Sequence, residues 1–197
     1  MPVQRGTDSA AAVSPIELIA TLLGVLCVAL GVRRSVWTFP VAIGSVLLVG
    51  WAVWQARLYS DAVLQLFFVG ANLYGWVNWR QSQADQGDVL VESMSTEARW
   101  RWAAGTGLAT LVWGGAMAGW TKADYPWWDA ATAVVSVAAQ LLMAQRKWEN
   151  WVLWIAVDLA LIPLYLAKGL TMFAALYLFY LALSIWGLVA WRRSLTA

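Results

Sequence analysis

The residues best suited to chemistry lie in one stretch, Gln145 to Tyr165, QRKWENWVLWIAVDLALIPLY. It opens on Arg146-Lys147 and then carries Asn150, Trp151, Trp154, Asp158 and Tyr165 through an otherwise apolar run. At 3.6 residues per turn, positions 151, 154, 158, 162 and 165 share one helical face. That face presents indole, indole, carboxylate and phenol, while Val152, Leu153, Ile155, Ala156 and Leu159 lie mainly elsewhere. A carboxylate near the middle of a membrane span costs about 2.5–3.5 kcal/mol on insertion scales. Something must offset that cost, and aromatic rings beside a carboxylate suit a flat ligand that is cationic or polar.

Composition says where such a face would sit. Of 197 residues, 61% are hydrophobic and 12% charged, against about 25% charged in a soluble domain. With a mean hydropathy of +0.63, the chain is expected to be an all-α integral membrane protein. A net charge of +2 is too small to argue for nucleic acid. There is no histidine and one cysteine, Cys27, so an internal disulfide, a His/Cys metal site and a Ser-His-Asp or Cys-His apparatus are all excluded. The expectation is a protein that is not an enzyme and has no metal and no cofactor. Cys27 is expected to be a small buried hydrophobe.

A bilayer core of about 30 Å takes about 20 helical residues. Seven stretches qualify: 16–32, 36–55, 60–79, 100–120, 127–145, 148–167 and 171–191. Residues 1–14 carry no apolar core after Arg5, which argues for a mobile tail rather than a cleaved signal. Seven spans sort the connections onto two sides. One side collects nine basic residues, Arg33, Arg34, Arg80, Arg99, Arg101, Arg146, Lys147, Arg192 and Arg193; the other collects four, Arg5, Arg57, Lys122 and Lys168. The positive-inside rule then puts the N-terminus outside and the C-terminus in the cytoplasm. The connection 81–98, QSQADQGDVLVESMSTEA, is expected to be a solvated cytoplasmic linker.

The third and seventh spans match without gaps, LQLFFVGANLYGWVNWR (64–80) over LYLFYLALSIWGLVAWR (176–192), and Arg33-Arg34 aligns with Arg146-Lys147 at nearly the same offset. Spans 1–3 thus resemble spans 5–7 in the same orientation, a 3+1+3 parallel repeat with the site expected between the halves. The division is a tail 1–14, a first three-helix repeat 15–80, a loop and linking helix 81–126, a second repeat 127–193 and a tail 194–197.

Polar groups inside spans usually face the bundle interior. In span 3, Gln65, Asn72, Trp76 and Trp79 share a face; span 5 offers Asp129, Ser136 and Gln140; span 2 adds Trp51 and Trp54; span 7 adds Tyr177. Gln65, Asn72 and Gln140 either bridge helices by hydrogen bonds or contact ligand, and Asp158 either pairs with an internal donor or balances a ligand's charge. The candidate site is Trp51, Gln65, Asn72, Trp76, Gln140, Asn150, Trp151, Trp154, Asp158, Tyr165 and Tyr177. Trp79, Trp191, Trp100, Trp102, Trp127 and Trp128 sit at span ends and are expected to be interfacial anchors. Arg146 and Lys147 are expected to be topology signals. Glu149 and Asp61 are placed to complement helix dipoles, with Glu149 also within reach of Arg146. Pro163 frees a backbone carbonyl in span 6.

The run RKWENWVLWIAVDLALIPLYLAKGL (146–170), followed by ALYLFYLALSIWGLVAWRR (175–193), resembles the PnuC family of vitamin transporters, and the segment from Leu22 to Trp79 fits the same family. The resemblance implies a fold related to the SWEET sugar transporters and a homotrimer in the bacterial inner membrane. It also implies uptake of nicotinamide riboside by facilitated diffusion, with trapping by a cytoplasmic kinase that feeds NAD biosynthesis. Thiamine, or less readily riboflavin, is the alternative substrate. Trp faces attract a pyridinium by about 0.5–2 kcal/mol, and an intramembrane Asp suits the two cationic vitamins better than neutral riboflavin. Proton coupling through Asp158 or Glu149 stays open.

Overall fold

The computed structural model describes residues 15–55, 59–120 and 125–195. The expected tail 1–14, Arg57, Lys122, residues 196–197 and the side chain of Asp61 lie outside the described residues. Seven helices follow in order: α1 Pro15–Val32, α2 Thr38–Gln55, α3 Tyr59–Gln86, α4 Thr96–Trp120, α5 Pro126–Ala144, α6 Asn150–Ala167 and α7 Thr171–Ser194. By length and composition α5, α6 and α7 can cross a membrane, and α1 and α2 hold shorter apolar segments, Leu18–Val32 and Thr38–Ala52.

The helices match the seven apolar stretches, except that α3 runs on to Gln86. Its extra residues, QSQADQ, are polar but contain no helix breaker. The helix stops at Gly87, whose φ of 79° is the left-handed conformation that ends helices cheaply. Ser95 then starts α4, its hydroxyl accepting from the Ala98 amide at 3.2 Å. The intervening loop is docked rather than solvated. Val89 is fully buried, and the Glu92 backbone pairs with the α5–α6 turn through Glu92 N–H to Arg146 O, 2.9 Å, and Trp148 N–H to Glu92 O, 3.1 Å. Val89 and Val91, alternate residues within this acidic loop, turn inward onto the core while Leu90 between them stays exposed, and they are the local reason.

Among the described residues, α1 packs on α2 and α7, α2 on α3, α3 on α5, α5 on α6, and α6 on α7. Six helices thus close a ring, with α4 outside it against α5. Features recur around the ring 112 residues apart. Arg34 and Arg146 hold φ of 57° and 60° at the α1–α2 and α5–α6 turns. The Trp79 indole donates to Met143 O at 3.0 Å, and the Trp191 indole donates to Gly31 O at 3.2 Å. Phe39 fills the space a side chain on Gly75 would need, as Trp151 does at Gly187. These rings, with Val32, Val89 and Met143, form a buried plug at the end where the basic residues gather.

Trp79 and Trp191 are therefore core residues, each with no exposed surface, rather than interfacial anchors. A buried indole N–H needs an acceptor, and each finds one in a turn carbonyl that already takes the following arginine's backbone N–H and has a lone pair to spare. Trp100 is largely exposed, whereas the Trp128 indole donates to Ala160 O on α6 at 3.1 Å, one residue from the carbonyl that Pro163 frees. Glu149 pairs with Arg99 at 2.9 Å rather than with Arg146. Arg146 is turned by its left-handed backbone toward Asn78 and Glu92. Arg146 and Lys147, expected to be topology signals, both grip Glu92.

Two stability outcomes follow. A Cβ on Gly187 would lie 2.5–2.7 Å from the Trp151 ring, while one on Gly70 would meet nothing within 4 Å. Gly187→Ala should therefore cost about 1–3 kcal/mol by overpacking, seen as a lowered thermal midpoint in detergent, and Gly70→Ala should not lower it. The Lys147 ammonium, and secondarily Arg146, hold the Glu92 carboxyl below the ordinary carboxylate range. A lowered folded-state pKa contributes stability above the unfolded value and loses it as pH falls through the folded one. The midpoint of Glu92→Gln should thus lie below wild type at pH 7, with the gap closing below about pH 4.

Candidate functional site

Inside the ring, on the inner side of the plug, lies a cavity of about 280 Å³, at the small end of the range for small-molecule sites. Its floor is Met143 and Trp151, which also belong to the plug. Above them the walls come from α1 (Gly24, Cys27, Val28), α2 (Ala42, Ser45, Val46) and α3 (Gln65, Phe68, Asn72). Facing these are α5 (Ser136, Gln140), α6 (Trp154, Val157, Asp158) and α7 (Tyr177, Tyr180, Ser184).

Two polar couples span the helices. Gln140 Nε2 donates to Asn72 Oδ1 at 3.1 Å, and Asn72 Nδ2 donates to Phe68 O at 2.8 Å. Ser184 Oγ donates to Asp158 Oδ2 at 2.9 Å. Asn72, Gln140, Asp158 and Ser184 are all buried. Among the described residues the lining contains no basic side chain, so the Asp158 carboxylate faces the cavity with a hydroxyl partner and no countercharge. The rings of Tyr177 and Tyr180 meet edge to face at 5.6 Å. Gly24 is required here: the Tyr180 hydroxyl lies 2.7 Å from where a Cβ would stand. Cys27 is half-buried rather than fully enclosed, and its Sγ accepts from Thr38 Oγ1 at 3.7 Å.

Of the candidate residues, the structure brings Gln65, Asn72, Gln140, Trp151, Trp154, Asp158 and Tyr177 to the cavity. Trp51 is more than half exposed near the end of α2. Trp76 packs against the plug, because the polar face of α3 runs past the cavity into it. Asn150 opens α6 and donates to Lys147 O at 2.6 Å, closing the turn. Tyr165 lies beyond the cavity, stacked on Phe173 with centroids 5.5 Å apart and against Tyr177 at 5.2 Å. Asn72 and Gln140 bridge α3 and α5 by their mutual hydrogen bond and also line the cavity. Ser184 and Tyr180 were missed, although positions 177, 180 and 184 share a helical face. Ser45 gave no sequence signal; its hydroxyl is spent on Ala20 O at 2.9 Å.

With this geometry in place, comparison with known proteins decides the family. Residues 14–193 match the family model described as nicotinamide mononucleotide transporter. The chain belongs to that family. The nicotinamide riboside transporter PnuC of Escherichia coli (strain K12) is 25% identical over 91% of this chain and 85% of its own length. The riboflavin/roseoflavin transporter RibM of Streptomyces davaonensis is 30% identical over 89% of this chain and 83% of its own. A crystal structure of the vitamin B3 transporter PnuC superposes with a TM-score of 0.75 over 92% of this chain and 82% of that one, at 23% identity, a likeness of fold.

The amide couple generates a stability outcome. Asn72→Leu should leave the Gln140 amide buried and unpaired, at a cost of about 1–3 kcal/mol. The double variant Asn72→Leu/Gln140→Leu should recover part of that loss, measured as thermal midpoints in one detergent.

Proposed function

We propose that this protein carries nicotinamide riboside across the bacterial cytoplasmic membrane by facilitated diffusion, and that a cytoplasmic kinase traps the product and feeds NAD biosynthesis. The observation that carries this is Asp158, a buried carboxylate with no basic neighbour among the described residues, in a cavity walled by Trp151, Trp154, Tyr177 and Tyr180. Nicotinamide riboside bears a permanent pyridinium charge, so it supplies the missing countercharge and a flat ring for the indoles and phenols. Its carboxamide and ribose hydroxyls match the amides of Gln65, Asn72 and Gln140. The family match and the PnuC relatives support the same class of substrate.

Riboflavin is the second reading, favoured by the likeness to RibM. It is neutral and bulkier, and would leave Asp158 uncompensated. Thiamine shares the cationic ring and stands between the two. The repetition at 112 residues supports a 3+1+3 parallel repeat of the SWEET kind, with the halves rocking about the cavity. The gathering of Arg34, Arg99, Arg146, Lys147 and Arg192 around Glu92, Glu149, Trp148 and the 87–95 loop supports a single cytoplasmic end with the C-terminus inside. The homotrimer rests on the family resemblance.

Tryptophan fluorescence of the purified protein, titrated in parallel with nicotinamide riboside, thiamine and riboflavin, tests the substrate. Nicotinamide riboside should quench at the lowest concentration, and Asp158→Asn should weaken its binding by roughly tenfold or more, about 1.4 kcal/mol per decade. Quenching by riboflavin alone, unchanged in Asp158→Asn, would replace this reading with the second one.

A further inference from the structure

The 87–95 loop lies between the two repeating halves in sequence, yet it grips both of them at equivalent places. Asp88 Oδ2 pairs with Arg34 Nη2 at 3.1 Å, and Arg34 Nη1 also donates to Val89 O at 3.4 Å. Glu92 pairs with Arg146 and Lys147 and adds two backbone hydrogen bonds to the same turn. Arg34 and Arg146 are the two left-handed arginines, 112 residues apart, that turn α1 into α2 and α5 into α6. Between the two acids, Val89 is inserted into the plug beside Phe39, Trp79, Trp151 and Trp191. One short loop thus ties the α1–α2 turn to the α5–α6 turn directly over the plug that floors the cavity.

We infer that this loop is an ionic clasp that regulates opening of the cavity toward the basic end, and that the Asp88–Arg34 arm is the one that releases. The inference rests on the proposed reading of the chain as a carrier that opens at both ends. Opening toward the basic end must separate the two turns, because the plug is built from residues on both halves. The loop cannot follow both. Its Glu92 arm is held by two cations and a backbone pairing, whereas the α1–α2 turn holds it through Arg34 alone, on the Val89 carbonyl and a carboxylate that is 57% exposed. The Ser82 hydroxyl ties the Asp88 end to α3, not to that turn. The loop therefore stays with the α5–α6 turn, and Val89 leaves the plug as Arg34 lets go. An exposed pair of this kind is weak and salt-screened, which suits a contact that must break in every cycle.

Cys27 provides the readout, as the one cysteine of the chain and a residue of the cavity wall. The full-length protein, in oriented membrane vesicles, is exposed on either side to a membrane-impermeant methanethiosulfonate carrying a quaternary ammonium, without any vitamin present. From the basic side, Asp88→Asn should label about two- to fivefold faster than wild type, the range an exposed ion pair commands. Asp88→Glu should restore slow labelling, and Glu97→Gln, which removes the Arg101 partner on α4, should change nothing. Raising the salt concentration should speed labelling of wild type and leave Asp88→Asn unaffected. Labelling of wild type from both sides at rates that Asp88→Asn and salt do not alter would overturn the clasp and leave the carrier reading intact. Labelling confined to the opposite side in every variant would overturn both. A vitamin that fails to bind would touch only the substrate assignment.

Discussion

The structure depends on how two tight turns dispose of their last carbonyls. A buried indole N–H needs an acceptor, and both α1 and α5 end in turns that reverse through a left-handed arginine and turn a carbonyl toward the ring's interior. The Gly31 and Met143 carbonyls in those last turns already accept the Arg34 and Arg146 backbone N–H groups, and each takes a second donor, an indole N–H from a tryptophan on the opposite side of the ring, Trp191 and Trp79. The bonding is therefore reciprocal: each side's indole finds its acceptor in the other side's turn. The indoles reach that far because Gly75 and Gly187 leave room for Phe39 and Trp151 to pack beneath them. Removing either glycine would displace a ring and with it a carbonyl's donor.

The cavity is a consequence of the same arrangement. A ring of six helices drawn together at one end by a plug of packed rings leaves space further in, between walls that pair a small side chain with a large one, as Gly24 does with Tyr180. The wall is built largely from pairs 112 residues apart: Gly24 with Ser136, Val28 with Gln140, Ala42 with Trp154, Ser45 with Val157, Val46 with Asp158, Gln65 with Tyr177, Phe68 with Tyr180 and Asn72 with Ser184. In most pairs the second half holds the polar or larger aromatic member. The two sides of the cavity are thus unlike: Gly24, Ala42, Val46, Phe68 and the Gln65 and Asn72 amides stand on one, and Trp154, Asp158, Tyr177 and the Gln140 amide on the other.

The existence of all seven helices was legible because apolar runs of membrane length leave few alternatives. The end of α3 was not, since hydropathy marks where a helix leaves the apolar layer and QSQADQ continues it into water. The plug tryptophans were misread for a related reason. An indole at the end of a span looks the same whether it faces lipid headgroups or a carbonyl, and here the carbonyls lie 64 and 160 residues away in the chain. The alignment of Arg33-Arg34 with Arg146-Lys147 was nearly right; the offset of the third and seventh spans pairs Arg34 with Arg146, and the shared backbone conformation fixes it. Asp158 was readable from its cost alone. Its partner Ser184 was not, because a serine in a span is cheap and draws no notice.

The basic end shows how one set of residues serves two demands without conflict. Arg34, Arg99, Arg146 and Lys147 are among the nine basic residues that set the proposed orientation, yet each is paired with Asp88, Glu149 or Glu92. Were orientation decided by net charge, these acids would cancel much of the bias that the arginines supply. Insertion responds instead to Lys and Arg near the span ends, with Asp and Glu contributing little. The acids can therefore be added after the fact, so to speak, as structural partners that close loops over the plug and bury a carboxylate at Glu149, while the count that orients the chain is untouched. In the proposed orientation, that separation lets the same end of the molecule carry the basic residues that insertion reads while their side chains are paired where they pack.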